Sequence, residues 1–428
     1  CVFRVCFAGT LILRAASWKS WFSNETKENR VDRLAIDGGK PVRDTYLAFG
    51  KPCIGEEEIA EVVATLRSGW IGTGPKAHEF EARFAEYVGS KEAVSVSSCT
   101  AALHLALLIH GVGPGDEVIT SPLTFTATAN VIVHCGAKPV FVDIEPDTWN
   151  INIDLLAKAI TPKTKAIIAV HFGGLPVDLD ALRKVAGPIP IVEDCAHAVA
   201  GRYKGQMIGG SGNLCCFSFY ANKNLTTGEG GMVTLNESEI ADRLRVLRLH
   251  GMDRDAWKRF SDKAKLRNFV IEAGYKYNLT DLQASLGIHQ LRKIERFTEE
   301  REKIAAAFDL HVDSILSVSR QYRPPGIDMD RHGLHLYCVV LDLDRFSKTR
   351  DEIVMALRAE NIGVGIHYGA LHQELFYQNL LHDAPGSFPV AERIGNSIFT
   401  LPTFPGMTSQ DISDVCAGLD KVLNAYRI

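Results

Sequence analysis

From about Leu34 the chain alternates short apolar runs with longer stretches of helical period. GEEEIAEVVATLRSG comes first: Ile59, Val62, Val63 and Leu66 recur at three- and four-residue spacing, which places them on one face of a helix. AVSVS, EVIT, PVFVD, AIIAV and IPIVE read as short strands, separated by the helical segments TAALHLALLIHG, TATANVIVHCG and DLDALRKVAG. Strands this short and this uniformly apolar are buried on both faces, which predicts a mostly parallel sheet covered by helices on each side. NLCCFSF and GMVTL are two further strands, bracketing a polar, glycine-rich segment; a helix with Ile240, Leu244 and Leu247 on one face follows. The polar stretch from Asp253 to Ala273 has no period and reads as a surface excursion.

After the long helical run DLQASLGIHQLRKIERFTEEREKIAAAF the pattern resets. LHLYCVVLDLD and IGVGIHY read as strands, TRDEIVMALRAENIG as a helix opened by a Thr349/Glu352 capping box, and TSQDISDVCAGLDKVLNAY as a closing helix capped by Thr408. The predicted fold class is therefore α/β, with a large domain over residues 34–295, its lead-in segment included, and a smaller α+β domain over 296–428. Residues 1–33 are moderately apolar but interrupted by Arg4 and Arg14, too short in their apolar run to span a bilayer and without a small-residue cleavage site. They read as a disordered or non-native extension rather than a targeting signal.

Composition narrows the function classes. A chain with 46% hydrophobic and 23% charged residues is an ordinary globular protein. Its net charge of −4 gives no electrostatic case for nucleic acid or an anionic membrane. Ten cysteines without a CxxC pair imply neither a zinc site nor a disulfide framework, and point to a reducing, cytoplasmic setting with no metal.

The chemistry concentrates in FSFYANKNLTTGEGGMV, where Lys223 lies between an apolar strand and a glycine-rich turn. Burial disfavours the charged form of a lysine, and a neutral amine can attack an aldehyde. Asp194, at the end of IPIVED, is the carboxylate that a pyridoxal ring nitrogen requires. Ser97-Ser98-Cys99-Thr100-Ala101 stands at a strand-to-helix junction, where unpaired N–H groups and the helix dipole suit a phosphate. Ser218 lies five residues before Lys223, and Phe125 follows a strand in TSPLTF. Singly, each has a plainer reading: a helix cap, a solvated charge, a core aromatic. Together they suggest a pyridoxal 5'-phosphate enzyme.

VSSCTAALHLAL, VEDCAHA, FSFYANKNLTTGEGGM, GYKYNLTDLQASLG and LPTFPGMT resemble, in order and spacing, the DegT/StrS-type sugar aminotransferases, from Leu34 to the C-terminus. GYKYNLTD, HFGG and GIHYGALH are most similar to members that aminate UDP-4-keto sugars, such as those forming UDP-4-amino-4-deoxy-L-arabinose in lipid A (lipopolysaccharide) modification. The resemblance implies the aspartate-aminotransferase-like, type I fold, and ping-pong transfer of an amino group from L-glutamate to a nucleotide-linked keto sugar. It implies a Lys223 aldimine, a pyridoxamine phosphate intermediate and 2-oxoglutarate as by-product. It pairs Asp194 with the ring nitrogen, sets His197 near the ring hydroxyl, stacks Phe125 on the ring, and puts Thr100, Ala101 and Ser218 in the phosphate cup. Asn278 would reach the phosphate from a neighbouring subunit, making the active unit a homodimer with shared sites. Trp70, Thr73 and Gly74, with His171, His250, His367 and Tyr368, resemble substrate-side loops. Cys99 departs from the usual glycine. Lys223 stands where related dehydratases carry histidine, which favours transamination over a dehydratase or other lyase; a non-catalytic sensor of cofactor and sugar nucleotide is the alternative from another class.

Overall fold

A computed structural model describes residues 33–253, 269–324 and 330–428. Five strands come first: β1 (Glu92–Val96), β2 (Glu117–Thr120), β3 (Lys138–Phe141), β4 (Thr164–Val170) and β5 (Ile191–Asp194). A two-stranded ribbon, β6 (Arg202–Tyr203) and β7 (Gln206–Met207), precedes β8 (Leu214–Ser218) and β9 (Gly231–Leu235). Apart from the ribbon, these strands form one seven-stranded sheet in the order β1-β9-β8-β5-β4-β2-β3. Only β9 runs against its neighbours; the pairs from β8 to β3 are parallel.

The apolar runs explain the layering. In β4, Ile167 and Ala169 join the core on one face of the sheet, while Ala166 and Ile168 join the core on the other. Side chains alternate along a strand, so a continuous apolar run buries both faces at once. The helix Cys99–Ile109 is buried nearly all round, through Ala102, Leu103, Leu105, Ala106 and Leu107, and fills one of these faces.

A 32-residue helix, Asp281–Val312, links the two halves of the molecule. A Thr280/Gln283 capping box starts it. Ala284, Ile288, Leu291 and Ile294 pack on the large sheet, whereas Ile304, Ala305, Phe308 and Val312 pack in the C-terminal core. The expected boundary at residue 295 therefore falls inside one continuous helix. The C-terminal core is backed by an antiparallel sheet of β10 (Val318–Arg320), β11 (Tyr337–Leu341) and β12 (Ile398–Leu401).

Two expectations are corrected. The lead-in segment, expected with the large domain, belongs to the C-terminal core: Leu34 and Leu47 pack there. The buried Glu360 carboxylate accepts from the Ala35 and Val42 N–H groups at 2.8 and 2.9 Å. IGVGIHY does not form a strand; Ile362 and Gly365 make isolated bridges to Leu47 and Thr400. The lead-in passes so close over Gly363 that a Cβ there would lie 2.4 Å from the Leu47 carbonyl oxygen. The helix Glu56–Arg67, whose face the sequence located but not its direction, turns Ile59 and Leu66 outward (48% and 53% exposed) and buries Glu58 and Thr65. Glu58 tolerates burial because Lys293 and Gln290 donate to its carboxylate at 2.7 and 2.9 Å.

The capping box expected at Thr349 and the cap expected at Thr408 are both formed, the latter as a box with Asp411. The polar excursion lies largely outside the described residues, as do residues 1–32. No described helix is long and apolar enough to cross a membrane.

Candidate functional site

The parallel strands end on one side of the sheet, where open α/β sheets hold their ligands. A cavity of about 500 Å³ lies there, lined among others by Thr100, Phe125, Asp194, His197, Ser218, Lys223, His367 and Tyr368. Asp194 terminates β5 and Ser218 terminates β8, its parallel neighbour. The Lys223 N–H donates to the Tyr220 carbonyl at 2.9 Å, closing the turn that presents its side chain. Lys223 keeps an opening to the cavity, but surrounding protein crowds out bulk water; this burial lowers its ammonium pKa to about 8, with Cys99 and Asp194 pulling the other way.

Asp194 is only 5% exposed. Its Oδ2 accepts from the Thr128 hydroxyl at 2.8 Å and its Oδ1 from the Ala196 N–H at 3.1 Å. Burial nevertheless raises its pKa, against the pull of Thr128, Ala196 and Lys223. It has no ion-pair partner at contact distance among the described residues. A buried carboxylate of this kind calls for a cation.

The helix Cys99–Ile109 points its N-terminus at the same cavity. Ser98 caps it, accepting from the Ala101 N–H at 3.1 Å. The Ala101 N–H is thereby occupied, contrary to its expected place in a phosphate cup. Cys99, Thr100 and Ser218 themselves line the cavity. Gly231 makes this turn possible: a Cβ there would lie 2.5 Å from Ser98 C and 2.8 Å from Cys99 N. Cys99 itself is accommodated because its Sγ turns toward Asp194 Oδ1, 3.8 Å away, and the Cys216 carbonyl oxygen, 3.3 Å away. Burial raises its pKa, so it stays a thiol.

His197 accepts the Gly173 N–H at Nδ1 (3.3 Å), which leaves the proton on Nε2, 3.0 Å from the Tyr368 hydroxyl. Burial, reinforced by Lys223, keeps its pKa well below the usual value and the ring neutral. His367 bonds Thr400 through Nδ1 at 3.0 Å and stacks on Phe49; burial, then Lys223, lowers its pKa to about 4. Phe125, 55% exposed, stands at the mouth with its ring 5.9 Å from that of Tyr368.

Other expected residues lie elsewhere. Asn278 donates to the Thr73 hydroxyl at 2.6 Å, Thr73 to the Leu279 carbonyl at 2.5 Å, and Trp70 to the Thr73 carbonyl at 3.2 Å. This cluster, with Gly74 bonded through its N–H to Asp281, is outside the cavity lining. His250 is an exposed loop residue whose N–H bonds the Tyr275 carbonyl. His171 is no substrate residue: wholly buried, it pairs Nε2 with Glu193 at 3.0 Å and accepts the Val177 N–H at Nδ1. That geometry also explains away the compact group of His171, Glu193 and Cys195 as a metal site, because Ser211 and Asn213 saturate the remaining Glu193 oxygen. Thr124, Thr128, Tyr220, Asn222 and His335 belong to the site or its support and were not singled out from sequence. The four-residue spacing of Thr124 and Thr128 was the available signal for that pair.

The residues fit pyridoxal phosphate. The buried Asp194 carboxylate lacks a cation, the helix N-terminus and two hydroxyls suit a phosphate, and Lys223 is a depressed-pKa amine between them. A mostly parallel sheet with this site is that of a type I pyridoxal-phosphate enzyme. Residues 52–420 match the DegT/DnrJ/EryC1/StrS aminotransferase family. The spore coat polysaccharide biosynthesis protein SpsC of Bacillus subtilis is 46% identical over 87% of this chain and 96% of its own. The uncharacterized protein MJ1066 of Methanocaldococcus jannaschii is 45% identical over 90% of this chain and 100% of its own. Among solved structures, the candidate sugar aminotransferase Spr1654 of Streptococcus pneumoniae, in its pyridoxamine-phosphate form, superposes with a TM-score of 0.82 at 34% identity, covering 89% of this chain and 99% of that one. The same protein is also solved in its pyridoxal-phosphate form. The chain belongs to the DegT/DnrJ/EryC1/StrS aminotransferase family, and its cofactor is pyridoxal phosphate.

Proposed function

We propose that this protein transfers an amino group from L-glutamate to the keto carbon of a nucleotide-linked sugar, a UDP-4-keto sugar in the first instance. The observation that carries the reading is the placement of Lys223 and Asp194 in one cavity, with the amine's pKa brought down to about 8. Relatives named for polysaccharide biosynthesis and sugar amination support the sugar half of it.

Bound pyridoxal phosphate supplies an aldehyde that captures amines and a ring that absorbs negative charge from the carbon losing a proton. The residues supply the rest. Asp194 would hold a proton on the ring nitrogen and so keep the ring electron-poor. Lys223 Nζ would take the proton from the substrate carbon and hand it back during the transfer. Thr100, Ser218 and the helix N-terminus hold the phosphate. His197 and Tyr368, neutral and 3.0 Å apart, would hold the cofactor's polar side, and Phe125 at the mouth would limit water.

The active unit in this reading is a homodimer. Asn278, with Thr73 and Trp70, then serves the partner's site rather than its own. The outward apolar face of Ile59 and Leu66 and the exposed run Phe269, Val270 and Ile271 support association. The test is transfer of ¹⁵N from labelled L-glutamate to candidate keto-sugar nucleotides, followed by mass spectrometry. Incorporation into a UDP-4-keto sugar is expected; label that never leaves glutamate contradicts the reading.

A further inference from the structure

Seven described histidines are buried. Around the cavity, His171, His197 and His332 engage both ring nitrogens: His332, for example, pairs Nε2 with Gln321 at 3.0 Å and accepts the Leu334 N–H at 2.9 Å. The three remote from it, His104, His289 and His372, each bond through at least one. His335 alone bonds through neither. Its Nδ1 is sealed from solvent without a partner, and Nε2, not so sealed, belongs to a ring on the cavity wall.

An unpartnered imidazole in the interior is costly, because each unmet polar atom loses its water without replacement. The position is also rigid. The His335 N–H donates to the Gly173 carbonyl at 3.1 Å, and the preceding Leu334 carbonyl accepts from the buried Arg301 at 3.2 Å. Its ring sits 4.8 Å from that of His197, centroid to centroid. Burial, with Lys223 and His197 adding to it, holds the ring neutral, so it carries one N–H and one lone pair. Buried N–H groups are left unmet more rarely than acceptors. The proton therefore sits on Nε2, facing the cavity.

Lys223 is the one cationic side chain among the described lining residues, and no arginine is present there. An oxygen-rich substrate must be held by neutral donors. In the reading above, Asp194, Ser218, Thr100 and His197, all in the cavity lining, serve the cofactor. We propose that His335 is a substrate-binding residue, its Nε2–H donating a hydrogen bond to a carbonyl or carboxylate oxygen of the substrate held beside Lys223. This rests on the aminotransferase reading above.

The two half-reactions of the intact, cofactor-loaded enzyme separate the possible sources of that oxygen. One arm follows L-glutamate with the pyridoxal form, together with binding of 2-oxoglutarate by spectral titration. The other follows a UDP-linked 4-keto-hexose with the pyridoxamine form. In His335→Leu, one arm is expected to lose roughly tenfold or more in kcat/KM, with cofactor content and absorbance unchanged. His335→Gln, which places an N–H near the former Nε2, restores most of it. Loss in the first arm assigns the contact to the amino donor; loss in the second assigns it to the sugar. If His335→Leu does not fold, His335→Phe carries the same test. Both arms within twofold of wild type, or loss confined to cofactor loading, overturns the proposal while leaving the aminotransferase reading intact. A wild type that moves no amine in either arm overturns both.

Discussion

The Thr128 hydroxyl donates to Asp194 Oδ2 at 2.8 Å, and Thr124 lies behind it with its own hydroxyl 2.8 Å from that of Thr128. Thr128 is completely buried, so this relay is screened from water. It orients the buried carboxylate of the cavity lining. Thr128→Val keeps the shape and removes the donor. A hydrogen bond to a charged group is worth about 1.5–3 kcal/mol, so the substitution is expected to weaken cofactor binding and kcat by about tenfold or more. Thr128→Ser should recover both, as read by cofactor titration and steady-state kinetics.

Gly231→Ala tests the other end of the cofactor site. The new Cβ would collide with backbone, Ser98 C at 2.5 Å, and backbone cannot rotate aside. The expected cost is about 1–3 kcal/mol, together with weaker cofactor binding, because the strain falls on the turn that carries the helix N-terminus. Thermal unfolding with and without added cofactor measures both.

Asp194 and Ser218 stand at the ends of strands whose apolar runs are unmistakable, Lys223 in the turn five residues past Ser218, and the alternation of β4 between two cores follows from its unbroken apolar run. Thr128 was not legible, because a threonine in TFTATA reads as an ordinary helix residue until the fold brings Asp194 over it. His335 in LHLY likewise passes for one polar position before a strand. The face of Ile59 and Leu66 was visible, but not its direction: Glu58 takes the inward place only because Lys293, far along the chain, neutralises it. Asn278, Trp70 and Thr73 were read from motif resemblance and come together through Thr73, not through the cavity.

Burial lowers Lys223 to about 8 in the cofactor-free chain. Only the neutral amine attacks an aldehyde, so capture of added pyridoxal phosphate should accelerate with pH, about tenfold per unit well below 8, and level off above it. Stopped-flow absorbance between about pH 6 and pH 9.5 measures the inflection. A rate still climbing tenfold per unit past pH 9 would mean that burial does not depress this lysine.

Glu81 supports the strand before the phosphate turn. Burial alone would raise its pKa, but Arg248, with His78, overrides this and holds it at about 2. Its ordinary value is 4.5, so the folded state binds this proton more weakly than the unfolded chain. The resulting stability is fully present above pH 4.5 and is lost as pH falls from there toward 2. Glu81→Gln should flatten acid unfolding in that window. At neutral pH it should cost about 3–5 kcal/mol, since it strands a buried guanidinium. Circular dichroism against pH and denaturant reads both effects.

The most direct test of the central claim is a visible absorbance scan of the purified, cofactor-loaded protein before and after L-glutamate alone. The wild type should show a visible cofactor band that gives way to near-ultraviolet absorbance as the amino group is taken up. Lys223→Ala should fail to make the exchange at a comparable rate. A visible band that ignores L-glutamate in the wild type, or a Lys223→Ala protein that converts as fast as the wild type, would contradict the assignment of Lys223 as the residue that moves the proton.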